Sequence, residues 1–471
     1  MATQLDDDSR QLLQLGELIQ KSIADYVKLK HSPSKKNESS LPAKPLFDVQ
    51  RTLLAAAGLI TELVSEPQNR LLEVSTQYFE ARALHIVADK RIADVIAQSG
   101  DKGVDIKTLA SAVGIESRKL SRLMRCLCSI HLFAEKEEDV FINNRISLSL
   151  VNNEPLRAYI MLFGLDIYTS SDHLPRYLND PKKGASYDVK ITAWQDALST
   201  PKARWDWLEE EVSVGTLREG NSSSHGTSSS YPGVFGAELQ QACQNLEPTA
   251  VIKRPEHRIF GLAMVGGGRV FGQAHLYDFP WESLGSGGFC LQLSHIYPEL
   301  KFVLQDRAPA VKQAQSEVWP RENPEALKAG RIQFVVHDFF NTNPVLHADV
   351  YWLRYIIHDW SDDYCVKILS SIKPSMGPRS RIMICDQVMN TTTGCSEIPP
   401  APSPLPANWG YYTRYSHQRD LAMMSIINGI ERKPAEFRDL IHRAGLRLRK
   451  IWDCRSQVGL LEIVLPDSEL V

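Results

Sequence analysis

The residues best suited to proton chemistry follow apolar segments in the C-terminal half of the chain. His358 lies in ADVYWLRYIIHDW, Asp386 ends IMICD, and Glu431 lies in NGIER. A neutral imidazole can take the proton of a hydroxyl group with a pKa near ~10 as its oxygen attacks. An acid on the other ring nitrogen fixes the tautomer and stabilises the imidazolium. These three residues therefore predict a general base supported by two carboxylates, although His-Asp after a strand also fits a helix start capped by Asp359 or Ser361.

A second set of side chains follows the neighbouring apolar runs. Asp306 ends LKFVLQD, Asp338 and Phe339 end FVVHDFF, and Arg354 follows ADVYWL. An acid at the end of the second strand can accept hydrogen bonds from both hydroxyls of a ribose. An Asp beside an aromatic ring can bracket an adenine, because the acid takes the exocyclic amine while the ring stacks. This set predicts a nucleoside site, although Asp306 alone would also suit a helix cap.

The elements that position these residues begin near residue 300. Four β-branched or apolar runs, LKFVLQD, RIQFVVHD, ADVYWLRYI and SRIMICDQV, alternate with helical stretches. Strand–helix alternation predicts a parallel, doubly wound α/β sheet. Ligands bind outside the carboxyl ends of the strands of such sheets, where the candidate residues lie.

The N-terminal part has a different texture. Residues 9–29 have the spacing of an amphipathic helix, 31–45 form a polar Pro/Ser-rich linker, and apolar helical patterns span 47–97. Residues 105–143 show a helix–turn–helix–wing pattern. The predicted division is 1–45 as helix and linker, 46–150 as helical winged-helix domain, 151–275 as connecting helices with a disordered Ser-rich loop at 214–232, and 276–471 as the α/β domain.

The winged-helix pattern has two interpretations. Its basic residues would suit a DNA-reading helix; they are Lys107, Arg118, Lys119, Arg122 and Arg125. The wing is acidic and would repel phosphate, through Glu135, Glu137, Glu138 and Asp139. A dimerisation module is therefore the favoured interpretation.

Composition narrows the function classes. The chain has 471 residues, 43% of them hydrophobic, and a net charge of −3, which excludes wholesale disorder and gives no argument for nucleic acid or an anionic membrane. No window approaches the ~18 apolar residues of a membrane span. The eight cysteines are scattered without a CxxC, which predicts reduced thiols and no zinc site. With the acidic start MATQLDDDSR, this predicts a cytoplasmic protein.

Three stretches carry a family resemblance: ADVYWLRYIIHDWSDDYCVKIL, IMICDQVM and RDLAMMSIINGIERKPAEFRDLIHRAGL. They resemble the S-adenosylmethionine-dependent O-methyltransferases of the plant caffeate type, and most closely the fungal relatives that methylate polyketide phenols. The resemblance covers about residues 75–465. It implies a Rossmann-like methyltransferase sheet preceded by an all-α, winged-helix dimerisation domain. It also implies S-adenosyl-L-methionine as cofactor and a homodimer formed through residues 1–150.

The resemblance implies a role for each candidate residue. His358 is the general base, with Asp386 and Glu431 flanking its ring. The implied cofactor residues are Asp306, Asp338, Phe339 and Arg354, and the implied acceptor residues are Met423, Met424 and Asn428. Without the resemblance, the two methionines equally suit a core and Asn428 a turn. The implied reaction methylates a phenolic or enolic hydroxyl of an aromatic secondary metabolite; the alternative is a degenerate fold that does not methylate, such as a pseudoenzyme, a scaffold or an enzyme of other chemistry.

The sequence departs from that family at the glycine-rich loop. Only Gly285, Gly287 and Gly288 remain, no apolar strand precedes them, and about ten residues of the pattern are missing. A lost strand would leave its neighbours about 9–10 Å apart with unpaired backbone. Three readings stay open: a gene model that lost a short exon edge, replacement of the strand by residues 258–272, or a degenerate fold with weak cofactor binding.

Overall fold

The structure is a computed structural model that describes residues 6–32, 41–220, 229–271, 274–279 and 290–470. Gly285, Gly287 and Gly288 lie outside these described residues. The described chain divides into two compact units. The first unit draws on Met1–Val64, Phe271–Met423 and Gly429–Val471, and the second on Ser65–Val270 and Met424–Asn428.

The helices account for most of the described chain. They are α1 Asp7–His31, α2 Lys44–Val64, α3 Pro67–Thr76, α4 Tyr78–Asp89, α5 Ile92–Ala97, α6 Ile106–Val113, α7 Ser117–Ser129, α8 Glu154–Gly164, α9 Asp166–Asn179, α10 Ala193–Leu198, α11 Arg204–Leu208, α12 Val214–Glu219, α13 Gly236–Cys243, α14 Pro255–Phe271, α15 Ala274–Tyr277, α16 Cys290–Ile296, α17 Ala308–Gln313, α18 Trp319–Glu322, α19 Pro324–Lys328, α20 Asp362–Ile372, α21 Arg414–Ile427 and α22 Pro434–Arg443. No helix of the described chain combines the length and apolar character needed to cross a bilayer.

The strands are shorter. They are β1 Val104–Asp105, β2 Phe133–Glu137, β3 Val140–Asn143, β4 Glu211–Ser213, β5 Val251–Lys253, β6 Phe302–Asp306, β7 Ile332–Val336, β8 Val350–Arg354, β9 Arg381–Asp386, β10 Arg447–Asp453 and β11 Gly459–Val464.

The first unit contains the predicted α/β strands. β8 and β9 pair in parallel, and antiparallel β11 and β10 extend that sheet in the order β10-β11-β9-β8. β6 and β7 form a separate parallel pair. Every residue of β9 and β11 is buried, as expected for strands covered on both faces. The strand–helix alternation is confirmed for β6 to β9, whereas the antiparallel pair at the C-terminus was not predicted.

The two ladders of the first unit do not share backbone hydrogen bonds. In the described residues, no strand lies between β6 and β8. Buried side chains of residues 274–279 pack against the four-stranded sheet: the His275 ring lies 5.7 Å from that of Trp352 on β8, and the Phe279 ring lies 5.1 Å from that of Trp452 on β10. The described part of the sheet thus has the interruption that the missing residues predict.

The proposal that residues 258–272 replace the missing strand is wrong. This segment forms most of helix α14, Pro255–Phe271. Ile259 and Ala263 are both buried, and their spacing of four residues places them on one face of a helix. Apolar residues at that spacing favour a helix over a strand despite the run of glycines.

Helices α1 and α2 belong to the first unit, so the predicted boundary at residue 46 does not separate them from the α/β part. Leu15, Ala55 and Ala56 are buried in one cluster with Trp409. Arg51 of α2 makes two hydrogen bonds to Asp453, at 3.3 and 3.1 Å. These contacts are distant in sequence, so a composition shift at the 31–45 linker could not reveal them.

The second unit contains the predicted winged helix. Helix α6 ends at Gly114, whose φ of 70° suits glycine, and α7 leads into the antiparallel wing β2–β3, to which β1 adds a short third strand. Arg125 of α7 pairs with Glu135 and Asp139 of the wing. This cation is therefore used inside the module, which supports the dimerisation interpretation over DNA reading.

The Ser-rich segment 214–232 begins with helix rather than loop. Val214–Glu219 is helix α12, and the Ser213 hydroxyl caps it by accepting a hydrogen bond from the Thr216 N–H at 3.1 Å. The predicted loop is therefore wrong for residues 214–219, and residues 221–228 lie outside the described part of the chain.

Candidate active site

His358 is held in a short turn directly after β8. The turn, Ile357–Asp359, is a single 3₁₀ turn, and we call it the base turn. The His358 Nδ1 atom lies 2.8 Å from the Glu431 Oε1 atom, and both side chains are buried. The Ile430 N–H also donates to the His358 carbonyl at 2.8 Å. Side chain and backbone thus join two segments more than 70 residues apart, as the sequence predicts for His358 and Glu431.

The second ring nitrogen of His358 has a different neighbour from the predicted one. Because a carboxylate only accepts, Nδ1 carries the proton toward Glu431 and Nε2 is left as the basic atom. The Asp359 Oδ1 atom lies 3.3 Å from Nε2. Asp386, expected at this side of the ring, is fully buried at the end of β9, and neither of its carboxylate oxygens has a hydrogen bond in the described structure.

The buried charges around the base turn shift the pKa of His358. Burial opposes protonation of His358, but Glu431, Asp359 and Asp386 outweigh it and raise the pKa of the imidazole to about 9. Burial raises the pKa of Asp386 to about 6. Burial also acts on Glu431, but the positive charge of His358 overcomes it, so the pKa of Glu431 lies below its usual value. The imidazole is therefore a stronger base than histidine in water.

Arg419 and Tyr355 lie beside the base, and the sequence alone did not indicate them. The Arg419 Nε atom lies 3.6 Å from Glu431 Oε1, and its guanidinium lies 4.5 Å from the centre of the Tyr355 ring. The Tyr355 ring lies 5.6 Å from that of His358. Arg419 falls in the quoted RDLAMM stretch, so its position ahead of NGIER was the available signal.

The predicted ribose and adenine residues lie at the same edge of one ladder. Asp306 ends β6 and Asp338 follows its parallel neighbour β7. Both carboxylates are exposed, and each accepts a local backbone hydrogen bond, from the Arg307 N–H at 2.7 Å and from the Phe340 N–H at 3.0 Å. Two exposed acceptors on adjacent strand ends fit the hydroxyl and amine donors of a nucleoside. We call Asp306, Asp338 and Phe339 the cofactor edge.

Aromatic side chains surround this edge. The Phe339 ring lies 4.9 Å from Phe340 and 5.9 Å from Trp360, each edge to face. Arg354, at the end of β8, has its guanidinium 5.1 Å from the Tyr355 ring. Ring surfaces therefore lie beside Phe339, and the cofactor roles of Phe339 and Arg354 stay predictions.

The predicted acceptor residues are divided between the units. Met423 lies in the first unit, where its carbonyl accepts a hydrogen bond from the Gly429 N–H at 3.1 Å. Met424 belongs to the second unit, near the end of α21. Both methionines are half-buried, so their contact with an acceptor stays a prediction.

Asn428 is the most constrained of the three. Its φ is 54°, and its amide NH₂ donates to the carbonyls of Asp188 and Ile191 at 2.9 and 3.0 Å. Its amide oxygen accepts from the Tyr177 hydroxyl at 3.0 Å. The amide is thus engaged in the second unit in the manner of a structural turn, and its acceptor role also stays a prediction.

Comparisons with known proteins agree with this arrangement. The model of an O-methyltransferase domain matches residues 282–447, and that of an O-methyltransferase dimerisation domain matches residues 72–153. O-methyltransferase tpcA of Aspergillus fumigatus is 53% identical, with 98% of this chain and 97% of the relative covered. O-methyltransferase gedA of Aspergillus terreus is 52% identical, with 98% of each covered. The solved structure of LepI in complex with SAM covers 98% of this chain and 100% of its own, with a TM-score of 0.64 at 19% identity.

The fold is that of a Rossmann-like methyltransferase preceded by a helical dimerisation domain, as the sequence predicts. The high identity to full-length relatives then identifies the family. The chain belongs to the S-adenosylmethionine-dependent O-methyltransferases, so S-adenosyl-L-methionine is its cofactor and methyl transfer to oxygen its activity.

Proposed function

We propose that this O-methyltransferase methylates a phenolic or enolic hydroxyl of an aromatic secondary metabolite, with His358 as the general base. The observation that carries this proposal is the buried 2.8 Å contact between His358 Nδ1 and Glu431 Oε1. A base with a pKa of about 9 is matched to a phenol, whose pKa is near ~10, and poorly matched to an aliphatic alcohol. The raised basicity therefore supports a phenolic or enolic acceptor.

The protein's part in the reaction is to bind, orient and move one proton. S-adenosyl-L-methionine supplies an electrophilic methyl group, and Asp306, Asp338, Phe339 and Arg354 would hold it. The His358 Nε2 atom takes the hydroxyl proton as the acceptor oxygen attacks, and Glu431 stabilises the imidazolium that forms. Asp359 adds negative charge beside Nε2, and the buried Asp386 adds negative charge without a hydrogen bond to the ring. Because the ring is buried, water has little access to the proton being moved.

The degenerate alternative is suggested by the missing glycine-rich loop, and the relatives above, both O-methyltransferases, do not support it. The alignment with tpcA spans 477 positions, more than the 471 residues of this chain. The relative therefore carries residues at positions where this chain has none. We propose that a gene model lost a short segment at the glycine-rich loop and that the natural protein is an intact enzyme, as the 53% identity to tpcA along nearly the whole chain favours.

We also propose a homodimer formed through residues 1–150 in a cytoplasmic protein. In the second unit, Leu71, Leu72 and Phe79 on α3 and α4 are exposed, with 67% of Leu72 accessible. In the first unit, Leu13 and Val27 of α1 are exposed as well. Exposed apolar side chains of this kind are typical of an interface. Light scattering at micromolar concentration should give twice the chain mass, and a monomer would contradict the proposal.

A transfer assay tests the proposed acceptor class. Labelled methyl groups from S-adenosyl-L-methionine should appear on phenols and enols of polyketide type, and not on matched compounds whose hydroxyl is aliphatic. The cleanest comparison uses one ring system that carries both kinds of hydroxyl. Methylation of the aliphatic hydroxyl alone would contradict the proposal.

A further inference from the structure

The residue after Glu431 carries a permanent charge in the protein interior. Arg432 is only 1% exposed. Its Nη1 atom donates to the Ile357 carbonyl at 3.0 Å, and its Nη2 atom donates to the Trp360 carbonyl at 2.7 Å. Burying a guanidinium is unfavourable unless its N–H groups find acceptors. The hydrogen bonds of Arg432 offset this loss of hydration.

These two carbonyls lie on either side of His358. Ile357 precedes the base, and Trp360 follows the base turn. The same guanidinium reaches Asp362 at the start of α20, with Nε and Nη2 at 3.1 and 2.8 Å from Asp362 Oδ1. One planar group thus joins the beginning of the base turn, its end and the helix that follows. An ammonium could not reach all three acceptors together.

We propose that Arg432 is a positioning residue that fixes the base turn so that His358 keeps its contact with Glu431. Glu431 and Arg432 are adjacent, so the same short segment holds the imidazole through one side chain and the backbone around it through the next. The Arg432 carbonyl also accepts from the Met389 N–H at 2.9 Å, which ties this segment to the chain after β9. The inference rests on the proposed role of His358 as base.

The alternative support for the base turn is weaker. The Cys365 thiol contacts the carbonyls of Ile357 and Trp360 at 3.2 and 3.3 Å. A thiol is a poor donor, whereas hydrogen bonds from a charged group are among the strongest in proteins. Loss of the guanidinium should therefore leave the turn in place but loosely held.

The test is Arg432→Lys, which keeps the charge and loses the planar fork. A small displacement of a catalytic group is enough to reduce kcat about ten- to a hundredfold. The acid limb of the pH profile of kcat should also move to lower pH, because a loosened imidazole loses part of its stabilisation by Glu431. KM for S-adenosyl-L-methionine should stay unchanged. A purely structural role would lower the folded fraction without moving the pH profile.

The matched control is Arg443→Lys. Arg443 pairs with Asp363, the residue after Asp362, but on the exposed surface of α20. This variant should keep both the rate and the pH profile of the parent protein. Parent-like kcat and pH profile in Arg432→Lys would overturn the proposal.

A second pair of variants covers the case in which Arg432→Lys does not fold. Asp362→Asn weakens the same contact from the helix side, and Asp363→Asn is its control. Because the Asp362 side chain is half exposed, the expected loss of kcat is smaller, about two- to fivefold, with the same direction of pH shift. No difference between these two variants would also overturn the inference. If His358→Ala itself is fully active, the proposed base fails; if it is inactive while Arg432→Lys and Asp362→Asn behave like the parent, only the positioning role fails.

Discussion

The base turn and the cofactor edge belong to the same unit but are built in opposite ways. His358 is buried and held by Glu431, by the Ile430 N–H and by Arg432. Asp306 and Asp338 are exposed, accept local hydrogen bonds, and stand on a two-stranded ladder that shares no backbone hydrogen bonds with β8 in the described structure. We therefore expect proton transfer and cofactor binding to be separable properties of this chain. Damage to one support need not damage the other.

The largest effect should come from removing the base. His358→Ala should lower turnover about 10²–10⁴-fold, the usual contribution of a positioned general base. Calorimetry should show S-adenosyl-L-methionine binding unchanged, because His358 is not among the residues of the cofactor edge. His442→Ala on the exposed surface of α22 is the control and should keep full activity. Weakened cofactor binding in His358→Ala would show that the two regions are not separable.

Restoring the missing glycine-rich loop should strengthen cofactor binding. Restoring about ten residues of the form apolar strand–Asp–x–Gly-rich between Gly287 and Gly288 should tighten S-adenosyl-L-methionine binding at least ~30-fold, or about 2 kcal/mol. It should also raise the melting temperature, because a central strand gives its neighbours backbone partners. An insertion of equal length rich in Gly and Ser is the control. Tight binding and cooperative melting of the chain without any insertion would remove the basis for the repair.

Replacing Glu431, the acid that contacts His358, should change the pH dependence of kcat. Since the neutral imidazole is the active form, kcat should rise with pH across the neutral range, with its midpoint near pH 9 and its plateau above that pH. Glu431→Gln removes the anion that stabilises the imidazolium, so the midpoint should move toward the ordinary value near ~6.5 and the plateau rate should fall about tenfold. Asp386→Asn should move the midpoint less, because Asp386 makes no hydrogen bond to the ring. A larger shift for Asp386→Asn would reverse this ranking.

The smallest effect concerns stability. A histidine whose folded pKa is raised adds stability that is complete below about pH 6.5 and is lost as pH rises through about 9. The melting temperature of the parent protein should therefore fall by a few degrees between pH 7 and pH 9.5 from this group. The fall should be smaller in His358→Ala. Equal decreases in melting temperature in the two proteins would show that protonation of His358 does not stabilise the folded state.

The strands and helices whose formation depends on neighbouring residues could be predicted from the sequence. The apolar runs predicted β6 to β9, and helical spacing with Gly114 predicted the winged helix. The pairing of His358 with Glu431 was predicted from residue type together with the family resemblance, because their separation of 73 positions carries no periodic signal.

The contacts that could not be predicted depend on the positions of side chains far apart in the sequence or on their orientation. Asp359 was considered as a helix cap, but its carboxylate lies beside His358 Nε2 in place of the predicted Asp386. The placement of α2 in the first unit depends on Arg51 and Asp453, and no local pattern connects them. Arg432 lies inside the quoted NGIER stretch, yet only the structure shows that its guanidinium reaches the carbonyls around the base.

The contact between Arg51 and Asp453 has a consequence for folding during translation. The two residues are 402 positions apart, and the Arg51 guanidinium also stacks 3.9 Å from the Trp409 ring. At a translation rate of about 5–20 residues per second, Asp453 is synthesised roughly 20–80 s after α2. During that interval the face that carries Ala55 and Ala56 has none of its C-terminal neighbours. Leu15 of α1 belongs to the same cluster, so we expect α1 to cover part of this face until the C-terminal residues are synthesised.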